Sequence, residues 1–136
     1  MPHSEPVNWQ PITLMPLIAN MIAGALTDSR DQLGTLTQAR ARPHVLDDAT
    51  IDRVDRVYGE QLEFVDIYTQ QIRRWRSESP SADHIGELDR MEKQNQELRA
   101  VTAEVLALAR ELRKGTIDRI MGMSDLELGL QAVLGK

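Results

Sequence analysis

Apolar residues recur every three or four positions along three long segments, and no segment alternates with a period of two. That spacing places one side chain per turn on a single helical face and predicts helices rather than strands. The first segment carries Ile18, Ile22, Ala25, Ser29, Leu33 and Leu36, with Leu14, Leu17, Met21 and Leu26 adding a second face. The second carries Ile51, Val54, Tyr58, Gln61, Val65, Tyr68, Ile72 and Trp75 in 3-4 alternation. The third runs through Ile85, Leu88, Met91, Asn95, Leu98, Thr102, Val105, Ala109 and Leu112.

Local signals divide these segments. Pro43 disfavours helical geometry at Arg42. The polar cluster from Ser77 to Asp83 marks a turn, and Gly115 after Lys114 reads as a glycine stop. Asp47 or Asp48 suits the N-cap of the second helix, and Ser79 with Pro80, or Ser81, that of the third. The pattern predicts an all-α fold: an antiparallel bundle of three long helices with a short C-terminal helical tail. Residues 1–12 form an N-terminal extended segment, 13–114 the bundle and 115–136 the tail. Within the tail, Ser124 to Glu127 matches a capping box ahead of another apolar row. Gly24, Gly34, Gly59 and Gly86 fall inside helices, where close approach or bending accounts for the first three.

The 136 residues suffice for one core and not two. Apolar residues exceed what three slender helices can hide, because the first helix is apolar over most of its circumference from Leu14 to Leu26. Contiguous apolar surface of that kind marks an association surface. The expectation is a homodimer, with first helices or tails packed against their symmetry mates. The tail residues Ile117, Ile120, Met121, Leu126, Leu130 and Leu134 are the candidate contacts to a protein partner, helix-in-groove fashion.

Charge narrows the remaining classes. Sixteen basic and 21 acidic residues leave a net charge of −5, which speaks against a general nucleic-acid or anionic-membrane binder. Basic residues gather at helix C-termini, where the macrodipole favours them. In an up-down-up bundle Arg40, Arg42, Arg110, Arg113 and Lys114 meet at one pole. That cluster is the candidate anion site of an alternative reading, a phosphate- or nucleic-acid-binding module. Arg73, Arg74 and Arg76 surround Trp75, which continues a buried stripe and is expected in the core.

Catalysis finds no constellation. The chain has no cysteine and three scattered histidines, which removes thiol chemistry and thiolate metal sites. Glu60, Glu63, Glu87 and Glu92 lack the Glu-x-x-His pairs of di-iron bundles, so neither a metal nor another cofactor is expected. Asp52 with Arg56 and Asp89 with Lys93 stand at ion-pairing distance along a helix. The apolar run from Ile12 to Leu26, about 15 residues, falls short of a bilayer, so a buried helix and a cytoplasmic protein are expected. Folding the hairpins in register brings Ser29, Gln61 and Asn95 toward one level, a candidate polar layer. Such layers fix helix register, or line a small pocket. The reading that results is a non-enzymatic helical interaction or scaffold protein.

Overall fold

A computed structural model describes residues 8–42 and 46–121, with side chains through residue 115. A 3-10 turn, Ile12–Leu14, leads into α1, Met15–Arg40; α2 is Asp48–Ser77 and α3 is Ala82–Met121. No strand occurs among the described residues. All three helices pack into one bundle. Arg30 and Arg40 of α1 pair with Glu97 and Glu111 of α3, both numbers rising together, so α1 and α3 run parallel. Asp52, Asp66 and Arg76 of α2 pair with Arg113, Arg99 and Asp89, the numbers running in opposite directions. Helix α2 therefore runs antiparallel to both.

The caps follow the local chemistry. Asp47 accepts the Thr50 backbone N–H at 2.8 Å and opens α2. Ser81, not Ser79, caps α3 by accepting the His84 N–H at 3.2 Å. Ser79 instead takes a left-handed φ of 53° in the turn between α2 and α3. Gly115 does not stop α3, which continues unbroken to Met121. An interior glycine costs a helix only about 1 kcal/mol relative to alanine, which the rest of a 40-residue helix absorbs. The four bundle glycines need no close approach: a Cβ on any of them would meet nothing within 4 Å.

Two apolar clusters fill the interior. One gathers Met15, Ile22, Leu26, Val65, Tyr68, Ile72, Trp75, Leu88, Met91 and Leu98; the other joins Leu36, Ile51, Val54, Tyr58, Val105, Leu108 and Leu112. Helix α3 lies close against both α1 and α2, whereas the α1 and α2 backbones stand further apart. Toward its neighbours α3 presents Leu88, Leu98, Val101, Thr102, Val105 and Ala109, while α2 turns Tyr58, Tyr68 and Trp75 inward.

The apolar segment of α1 is less hidden than its sequence implies. Together with the 3-10 turn it forms a run from Ile12 to Arg40, long and apolar enough by length and composition to cross a membrane. Only 22% of its most apolar stretch is buried. Ile22 and Leu26 enter the core; Leu17 and Met21 stay outside. The buried helix expected from Ile12 to Leu26 is thus buried along one face only. Trp75 is fully buried, and its indole N–H donates to the Gln10 carbonyl at 2.9 Å. Gln71 accepts from the Gln10 N–H at 2.8 Å, so residues before α1 strap across the end of α2. Trp9 carries the Arg74 guanidinium 5.7 Å above its ring.

Candidate interaction face

Between α1 and α2 the bundle is open. A cavity of about 230 Å³ is lined by Ala25, Val57, Glu60, Gln61, Phe64, Tyr68 and Leu98. A second, about 270 Å³, continues it along Gln32, Thr50, Arg53, Val54, Val57 and Tyr58. Leu17 and Met21 extend the row of Ala25 by one helical turn each along α1. Leu17, Met21, Val57 and Phe64 are between 44% and 55% exposed; Val57 and Phe64 line the groove, while Leu17 and Met21 lie further along α1. The Phe64 and Tyr68 rings are 6.3 Å apart and tilted by 31°.

A polar layer crosses the bundle behind this groove. The Gln61 amide donates to Ser29 Oγ and to Thr102 Oγ1, each at 2.8 Å. Both hydroxyls donate onward to carbonyls of their own helices, Ala25 and Leu98, at 2.6 Å. The Gln61 amide N–H groups and both hydroxyl donors are therefore spent within the bundle. Its third member is Thr102, not Asn95. Folding the α2–α3 hairpin about residue 80 puts Arg99 at the level of Gln61, with Asn95 a turn away. The observed register is shifted by about one further turn, to Thr102, and Arg99 pairs with Asp66 at 2.7 Å. Asn95 makes a separate contact, donating to the Val65 carbonyl at 3.2 Å and Thr69 Oγ1 at 3.0 Å. Its Oδ1 is buried without a partner. Burial pushes the Tyr58 phenol above its ordinary value; the Ser29 hydroxyl opposes that rise and the Asp28 charge adds to it. Burial alone raises Tyr68.

The expected arginine pole forms but is partly neutralised. Arg40 pairs with Glu111 at 2.9 Å, and Arg113 pairs with Asp52. Arg42, Arg110 and Lys114 are exposed at the same end. The short-range pairs Asp52–Arg56 and Asp89–Lys93 do not form. Asp52 and Asp89 reach across helices to Arg113 and Arg76 instead. Ile117, Ile120 and Met121 lie on the last turns of α3, where only the backbone is described. Leu126, Leu130 and Leu134 lie outside the described residues. Among the described residues no group of acidic and histidine side chains is placed to hold a metal ion.

Sequence reasoning did not single out the α1–α2 groove. Its signal is Val57 and Phe64, apolar residues lying off the main α2 stripe, which form the rim of the open seam. Compared with known proteins, the chain matches no family model, no curated protein and no solved structure.

Proposed function

We propose that this chain is a helical interaction protein, working by self-association and by presenting helical surface to a protein partner rather than by catalysis. The observation that carries the reading is the half-exposed pair Val57 and Phe64 lining the open α1–α2 groove, with Leu17 and Met21 also exposed further along α1. Apolar side chains gathered along one groove are the usual mark of an association surface. The polar layer has the opposite character: its hydrogen bonds are satisfied internally, so it serves register rather than ligand binding. The tail past α3 keeps its proposed role in holding a partner, and a cytoplasmic setting remains part of the proposal.

Static light scattering of the eluting full-length protein tests the reading. A mass near twice 15.4 kDa is expected. A mass that stays at 15.4 kDa across the accessible concentration range removes self-association. The arginine pole as an anion site is the weaker alternative, because two of its five cations already face carboxylates from adjacent helices.

A further inference from the structure

The outward face of α2 carries a row of residues whose charges are antisymmetric about Tyr58. Ala49, Arg53, Arg56, Glu60, Glu63 and Ile67 follow one another at intervals of four, three, four, three and four residues. That period keeps a row on one seam of a helix. Arg56 and Glu60 stand two residues either side of Tyr58, Arg53 and Glu63 five, and Ala49 and Ile67 nine. The basic half therefore mirrors the acidic half.

None of these four charges makes an ion pair within the described chain, and all four are exposed. The opposite flank of α2 behaves differently: Asp52, Asp66 and Arg76 are each paired with α3. Intrachain chemistry thus accounts for one set of α2 charges and leaves the other set unmatched.

We propose that this face binds a second copy of the chain, α2 against α2 in antiparallel orientation, about a twofold axis beside Tyr58. The inference rests on the self-association proposed above and names the surface that makes it. In this arrangement Arg53 faces the partner's Glu63 and Arg56 the partner's Glu60, each pair occurring twice by symmetry. A parallel arrangement of the two copies opposes like charges along the whole row and is disfavoured. The same rotation keeps both α1–α2 grooves on one side of the contact. Phe64, six residues past the axis, then meets the partner chain at the level of Asp52. That is where the cleft of Gln32, Thr50, Val54, Val57 and Tyr58 opens. Each Phe64 fills the other chain's cleft, and the two Val57 side chains approach each other near the axis. Apolar burial supplies the affinity and the charge row sets direction and register.

Light scattering and sedimentation equilibrium of charge-reversed full-length chains test this directly. Arg56→Glu and Glu60→Arg should each weaken dimerisation roughly tenfold. Mixing the two single variants should restore association as a heterodimer, since the carboxylate introduced in one chain then meets the guanidinium introduced in the other. The double variant should likewise dimerise as the parent does. Phe64→Glu should give the monomer mass with unchanged helical circular dichroism, because the ring is already half exposed in the single chain. A parent chain that dimerises, with a mass unmoved by Phe64→Glu and by both reversals, overturns this face while leaving self-association standing. A monomeric parent overturns both.

Discussion

Trp75 shows how one side chain can do two jobs. Its ring has no exposed surface, and its single donor is used on the Gln10 carbonyl, as buried tryptophans require. Trp75→Ala is expected to cost about 3–5 kcal/mol through the cavity it leaves. Trp75→Phe keeps most of the packing and loses the strap contact, so urea denaturation should report only about 1–2 kcal/mol. Asn95 is the opposite case, since it is buried with one oxygen unsatisfied. Asn95→Leu removes that desolvation cost, while Thr69 still donates to the Val65 carbonyl. The unfolding free energy should stay level or rise by up to about 1 kcal/mol. A larger loss would show that the oxygen has a partner after all. The raised phenols of Tyr58 and Tyr68 make stability depend on alkali. The unfolded chain ionises first, so their contribution is intact below the ordinary tyrosine value of 10.0 and is lost as pH climbs through the higher folded values. Urea midpoints recorded from neutral to strongly alkaline pH should fall there, and Tyr68→Phe should flatten the fall.

At the scale of the element, α2 depends on its cap and α3 on its length. The hydrogen bonds from Thr50 hold the Asp47 carboxyl below its ordinary value of 3.8. Its support for the helix is therefore present above that value and disappears as pH falls through the lower, folded one. Protection of the Thr50 amide, its exchange rate measured by NMR against the intrinsic rate at each pH, should fall over that window, and Asp47→Ala should remove the dependence. Gly115 lies inside α3 with open space where a Cβ would stand. Gly115→Ala should accordingly stabilise the last turns by up to about 1 kcal/mol. Thermal melts with a midpoint raised by a degree or more would bear this out. A lowered midpoint would mean that the glycine is needed for something the single chain does not show.

For the whole molecule, self-association through a surface formed by the folded chain has a thermodynamic signature. A dimer of folded chains makes the melting midpoint rise with protein concentration. Calorimetric scans over a hundredfold range of concentration should show that rise in the parent chain, and Phe64→Glu should abolish it. The effect requires no knowledge of a further partner.

Much of this fold was legible in the chain. The 3-4 spacing gave three helices and most of their buried stripes, Ile85 being exposed instead, because helix periodicity is a local property that every turn repeats. The cap was narrowed to Asp47 or Asp48, and the Thr50 hydrogen bond selects Asp47. The pairing of Ser29 with Gln61 was legible for the same reason, as both fall on stripe positions across a hairpin. Three features were decided only by tertiary packing. Thr102 rather than Asn95 completed the layer, because register across a hairpin depends on the turn geometry around Ser79, which shifts α3 by about one turn. Helix α3 passed through Gly115, because a penalty of about 1 kcal/mol is small beside the cooperativity of a long helix. The open seam between α1 and α2 is also tertiary: α3 lies close to both helices while the α1 and α2 backbones stand further apart. The sequence lists the side chains, but how they divide one interior is decided only when three helices pack together.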